Sequence, residues 1–154
     1  MRLLIQRVKY ASVTVNNVSK REISNGLCVF IAVTHSDTEK SADYLAEKLV
    51  NLRIFEDNSG KINLSLQDIS GELLLVSQFS LYANCQNGRR PGFTDCAQPD
   101  YAEKIYDYFV NKIKNMNIKK IETGEFGADM LVEIHNDGPL TFIIDSPSNK
   151  SSNK

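Results

Sequence analysis

The side chains able to do chemistry in this sequence are few. Ser77-Gln78-Phe79-Ser80 closes an apolar run beginning at Glu72 and opens a stretch rich in Asn, Gly and Pro. The end of a buried strand is where groups on a rigid element become reachable by a ligand. Ser77 and Ser80 are hydroxyl candidates, yet neither lies in a Gly-x-Ser-x-Gly turn, and a serine nucleophile needs a base. The two histidines, His35 and His135, read as ordinary strand-end residues, so a triad is not expected. Gly138-Pro139 lies between two apolar runs. Its peptide, if cis as about 5% of such bonds are, would turn two carbonyls to one side as a rigid acceptor pair for an ammonium group; the sequence leaves the isomer open. In Asn87-Gly88-Arg89-Arg90-Pro91-Gly92-Phe93 a surface loop and a phosphate-gripping loop are equally good readings. Phe79 and Phe93 are suited to stacking on a base, but Phe79, placed on the strand, is expected in the core. Cys28, Cys85 and Cys96 lack zinc spacing and are expected as free thiols, with no metal and no cofactor.

These residues need elements to position them. The 154 residues, 42% apolar and 24% charged, suit one domain, expected over residues 1–145, with a disordered polar tail over 146–154. No apolar run reaches the roughly 18 residues of a membrane span, and Arg2 and Arg7 interrupt any signal-peptide core, so a cytoplasmic protein without a membrane partner is expected. A net charge of −1 argues against a coat on nucleic acid. Residues 1–36 nonetheless carry Arg2, Arg7, Lys9, Lys20 and Arg21 against Glu22 alone, basic points that a phosphate backbone could use if they share a face.

Leu3 to Val8, Ser12 to Val15 and Val18 to Ile23 read as a β-meander, with Asn25-Gly26 as a hairpin signal before a doubly buried strand, Leu27 to Val33. Ser36 and Glu39 have capping-box spacing ahead of a helix from about 37 to 51, marked by Ala42, Leu45, Ala46 and Leu49. Arg53 to Phe55 and Glu72 to Phe79 read as strands, and residues 83–98 as a long loop. Pro99 opens a second helix with Ala102, Ile105, Tyr106, Phe109 and Ile113 on one face. Strands follow at Ile118 to Ile121, Ala128 to His135 and Leu140 to Ile144, the last two separated by an Asn136-Asp137-Gly138-Pro139 turn. The order implies an α+β domain of mainly antiparallel sheets.

Several segments in order resemble the D-aminoacyl-tRNA deacylases, formerly D-tyrosyl-tRNA deacylases: Gln6-Arg7-Val8 with Ala11 to Val15, Asn51 to Phe55 with Asp57 and Gly60-Lys61, Ser77-Gln78-Phe79-Ser80-Leu81, Gly88 to Phe93 with Ala97, and Asn136 to Thr141. The resemblance spans residues 1 to about 145. It implies a barrel-like core with two flanking helices, and a homodimer with its active site at the subunit interface. Its substrate would be aminoacyl-tRNA, with no DNA partner. It further implies that Gly138 and Pro139 select chirality from the partner's side, supported by Arg7, Asn136 and Thr141. Ser77, Gln78, Phe79 and Ser80 would form the pocket and position the oxyanion, with Arg89, Arg90 and Phe93 as tRNA contacts. The implied reaction is hydrolysis of D-aminoacyl esters of tRNA, and of achiral glycyl esters, by rejecting L-residues. Ser80 stands where the family motif has Thr, and Leu140 where it has Val. The alternatives are a relative that clears L-alanyl-tRNA and a non-catalytic RNA-binding module.

Overall fold

The computed structural model describes residues 1–147, so the expected tail falls, from residue 148 on, outside the described residues. In chain order the elements are β1 (Arg2–Val15), β2 (Ser19–Ile23), β3 (Gly26–Ala32), α1 (Glu39–Asn51), β4 (Phe55–Glu56), β5 (Ile62–Leu64), β6 (Glu72–Ser77), a 3-10 turn (Phe79–Tyr82), α2 (Pro99–Lys114), β7 (Lys120–Thr123) and β8 (Met130–Asp145). Where two short strands were expected, β1 is a single strand of 14 residues. Irregularities against β8 around Val8 let the buried face switch at Arg7-Val8 without ending the strand.

The opening is not a meander, and Asn25-Gly26 is not a hairpin turn. Both β2 and β3 pair antiparallel with β1 in one uninterrupted register, Val15 opposite Ser19, Ala11 opposite Ile23, Val8 opposite Gly26 and Arg2 opposite Ala32. They are two halves of one returning strand. The tight turn lies at Asn16-Asn17, the two central residues of a turn closed by Val18 N–H to Val15 O at 3.0 Å, and their φ of 50° and 57° put both in the left-handed region. The returning strand breaks because its backbone turns toward β6: Ser24 N–H donates to Glu72 Oε2 at 2.8 Å and Glu72 N–H to Asn25 O at 3.1 Å.

From β3 the sheet continues through β6 to β7 by two parallel pairings, while β8 lies antiparallel along the other edge of β1. The sheet is therefore mixed, and it curls until β2 faces β7. That seam has no strand pairing; Arg21 Nη1 donates to Thr123 O at 2.6 Å and Lys120 Nζ to Glu22 O at 2.7 Å across it. The result is barrel-like. Inside the curl lie Val8, Val13, Ile23, Cys28, Leu74 and Val76. On the outer face α1 and α2 cover Leu3, Ile5, Leu27, Val29, Leu73 and Leu75, each such side chain contributing about 1.5–3 kcal/mol of burial. Burial pushes the Cys28 thiol up to about 12, so it stays protonated and serves as a small core residue.

Helix α1 begins two residues later than expected. Thr38 is its N-cap, and its N–H donates to Ser41 Oγ at 3.2 Å, so the reciprocal cap uses Thr38 and Ser41 in place of Ser36 and Glu39. Helix α2 starts at Pro99 as the sequence indicates, since proline at the first helical position loses only an N–H that would have had no partner.

Candidate active site

Strand β6 ends at Ser77 because Gln78 leaves β geometry, with φ −150° and ψ 80°. Its N–H still donates to Ile31 O at 2.8 Å, which anchors the turn to β3. The 3-10 turn then closes with Leu81 N–H to Gln78 O at 3.3 Å. The amides of Phe79 and Ser80 precede that first bond, and such opening amides have no acceptor within their own turn. Phe79 stands at a cleft of about 530 Å³ whose lining also includes Ser77, Gln78, Tyr106, Phe126 and Met130, and Ser80 follows it in the chain without lining that cleft.

Phe79 is not a core residue. It is 55% exposed, because the strand's alternation stops at Gln78, and its ring packs instead on Phe93 at 5.1 Å. Ser80 Oγ accepts from Gln78 Nε2 at 2.6 Å. Neither histidine is beside it: His35 Nε2 donates to Thr94 O at 2.7 Å, and the His135 ring lies against Tyr10 at 5.1 Å. Ser80 Oγ thus has neither histidine as a base, and the cleft offers mainly apolar walls with Asp129 as the carboxylate in its lining. One residue that sequence reasoning passed over is Cys96, whose thiol donates to Phe79 O at 3.3 Å. Burial, with Asp95 nearby, raises its pKa, so it remains a donor. Segment 93–97 is further fastened by Thr34 Oγ1 to Asp95 O at 2.6 Å and Ala97 N–H to Val33 O at 3.0 Å. Arg89 and Arg90 lie exposed in the loop that the paired backbones of Asn84 and Gly92 close.

The second group of site residues lies on β8. Asn136 to Pro139 do not form a turn between two strands, because both flanking segments pair with β1: Gln6 opposes Thr141, Val8 opposes Asn136 and Tyr10 opposes His135. The four intervening residues bulge out of a continuing strand, and Gly138-Pro139 in that bulge is cis. The edge position and the bulge accommodate the proline, which has no N–H to give a ladder. Asn136 clamps the bulge, its Nδ2 donating to Arg7 O and Leu140 O, each at 2.9 Å. Thr141 Oγ1 donates to Asn136 Oδ1 at 3.4 Å and accepts from Gln6 Nε2 at 3.2 Å.

Arg7 fills the space beneath. Only 6% exposed, it donates from Nη1 to Ile54 O at 3.0 Å and from Nε to Asp137 O at 3.3 Å, with Asp137 Oδ2 at 3.2 Å. Gly138 and Pro139 themselves are exposed and are not part of the lining of the cleft. A single chain therefore brings Ser77 to Phe79 together at the cleft and Arg7, Asn136 and Thr141 together under the bulge, but not the two groups to each other.

Among the described residues no three His, Cys, Asp or Glu side chains converge as a metal set, and no helix is long and apolar enough to cross a membrane. Residues 4–145 match the profile of a family described as D-Tyr-tRNA(Tyr) deacylase. Over 146 residues the chain is 55% identical to the "D-aminoacyl-tRNA deacylase" of Thermosipho africanus (strain TCF52B), covering 95% of this chain and 97% of that one. It is 52% identical to the protein of the same name from Bacillus thuringiensis (strain Al Hakam), covering 95% and 99%. A solved structure titled "c-Myc DNA Unwinding Element Binding Protein" superposes with a TM-score of 0.89 at 38% identity, over 96% of this chain and 100% of that one.

Proposed function

We infer the activity from one premise: this chain belongs to the D-Tyr-tRNA(Tyr) deacylase family. It hydrolyses the ester that joins a D-aminoacyl group to tRNA, a proofreading reaction that releases the D-amino acid and free tRNA. The observation that carries the reading to particular residues is the presence, on one chain, of a strand-end 3-10 turn at a cleft and a braced, exposed Gly138-Pro139 bulge. An aminoacyl ester is already activated, so water positioned beside oxyanion donors suffices for hydrolysis. The amides of Phe79 and Ser80 would receive the developing oxyanion, with Ser77 and Gln78 framing the cleft. A ribose 2′-OH of the substrate would supply the proton handling that neither histidine provides.

The carbonyls at Gly138 and Pro139 would hold the α-ammonium and leave no room for an L-side chain, so achiral glycyl esters also pass. Because these residues do not line the cleft of their own chain, the bulge that completes each site would come from a second copy, making the working enzyme a homodimer. Arg89, Arg90 and Phe93 would contact the tRNA, and a cytoplasmic location follows from that substrate.

Incubation of D-tyrosyl-tRNA and L-tyrosyl-tRNA with catalytic amounts of protein tests this directly. Rapid loss of the D-ester with the L-ester spared is the expected result. Equal lifetimes with and without protein would overturn the activity and leave an RNA-binding role or an L-alanyl substrate. Ser80→Ala separates the mechanisms. With no base at Ser80 Oγ, the variant is expected to keep its rate within about threefold, whereas a covalent nucleophile would cost on the order of a thousandfold or more.

A further inference from the structure

We propose that the β1–β2 hairpin sets one wall of the cleft and that Arg21, itself outside the lining of the cleft, is the residue that positions it. This rests on the reading that the cleft holds the aminoacyl ester. Phe126, Gly127, Ala128, Asp129 and Met130 contribute one side of the cleft, yet four of the five lie in the connection between β7 and β8, outside either strand. A segment of that kind takes its shape from what grips its ends.

The hairpin grips both. At the far end the turn residue Asn16 exchanges a pair of bonds with Asp129: Asn16 N–H to Asp129 O at 2.8 Å, and Asp129 N–H to Asn16 Oδ1 at 3.3 Å. At the near end Arg21 on β2 donates from Nη1 to Thr123 O at 2.6 Å and to Gly124 O at 3.4 Å, and its Nη2 pairs with Glu125 Oε1 at 2.7 Å. One planar, always-charged fork thus holds three successive residues immediately before Phe126. The other near-end tie is Gly124 N–H to Leu75 O at 3.0 Å, which fixes the segment to β6 but leaves it free to hinge there. Phe126 then meets the wall's opposite partner, Tyr106, at a ring distance of 5.9 Å. The side chains of Arg21 and Asn16 are absent from the lining of the cleft, so both act through the segment between them.

Arg21→Met keeps the aliphatic stem and removes the donors. Arg21→Lys retains a cation that can serve one carbonyl at a time. Amide hydrogen exchange over residues 124–130, normalised to that of β3, is expected to rise at least about tenfold in Arg21→Met, with Arg21→Lys intermediate. In steady-state hydrolysis of D-tyrosyl-tRNA, KM is expected to rise about fivefold with kcat within about twofold, because a loosened wall weakens binding without touching the oxyanion donors. A purely structural role would instead lower kcat with the folded fraction and leave KM alone. That result, or unchanged exchange over 124–130, overturns the proposal. If Arg21→Met does not fold, Asn16→Ala, which loosens the far end, carries the same comparison. If the wild-type protein itself spares D-tyrosyl-tRNA, it is the activity that fails, and the exchange measurement still decides whether Arg21 holds the wall.

Discussion

A Gly138→Ala protein is expected to fold and to lose at least about a hundredfold of its D-ester hydrolysis. Gly138 has φ +121°, and an added Cβ would stand 3.0 Å from Leu140 N, 3.1 Å from Leu140 Cγ and 3.3 Å from Arg7 Nη2. That conformation costs an L-residue about 1–3 kcal/mol. The bulge is exposed and outside the core clusters, so relief comes by shifting the bulge while the strands on either side stay paired. A shift of about 1 Å is enough to misdirect the carbonyls that would hold the α-ammonium. The melting temperature and the D- and L-ester rates should be measured together. Full D-ester activity in a folded Gly138→Ala protein would place the selector elsewhere.

Gly26→Ala is expected to act in the opposite sense, destabilising the fold severely with no special effect on chemistry. A Cβ there would lie 1.9 Å from Glu72 O and 2.7 Å from both C and N of the same residue. These are backbone atoms in a parallel pairing, Gly26 beside Glu72, and they cannot rotate away. Relief requires β3 and β6 to part at the place where the returning strand crosses onto β6. A penalty above about 4 kcal/mol is a large share of the 5–15 kcal/mol typical of a domain. Urea unfolding should show a midpoint lower by about 2 M, or no soluble protein at all. Gly60→Ala is the control, because at φ +74° it meets nothing within 4 Å and should cost only about 1 kcal/mol. A Gly26→Ala midpoint within about 0.5 M of wild type would contradict the geometry.

The helices and the buried strand β3 were legible because their period agrees with packing: Ala102, Ile105, Tyr106, Phe109 and Ile113 all face the core, and Pro99 opens α2, although the cap of α1 falls on Thr38 and Ser41. Partnership was not legible. Asn25-Gly26 has the composition of a hairpin turn, but the glycine is needed for close approach to Glu72, and no local rule distinguishes the two uses. Phe79 misled for a similar reason, since its apolar character continues a strand that Gln78 has already ended. Asn136 to Pro139 has turn composition and yet interrupts a strand without reversing it, because at a sheet edge a bulge loses few bonds. For the site, Ser77 to Phe79 stood out by position at a strand end, and the family resemblance gave Gly138 and Pro139 a role. Phe126 to Met130, Cys96 and the bracing function of Arg21 gave no signal. Apolar lining residues resemble core, and an arginine that binds carbonyls across a seam resembles any surface charge.

The bulge on β8 also bears on solubility. Among the described residues this strand of 16 residues pairs only with β1, which leaves its other edge without a strand partner there, and it carries Leu131 and Ile143 with 65% and 62% of their surface exposed. A long edge strand with apolar side chains is a template for runaway strand addition. Four residues bulging from its middle break the continuous row of N–H and C=O groups that a stray strand would need to match. The Gly138-Pro139 step that is proposed to hold the α-ammonium would thereby also limit any misplaced ladder to one half of the strand, a safeguard against aggregation.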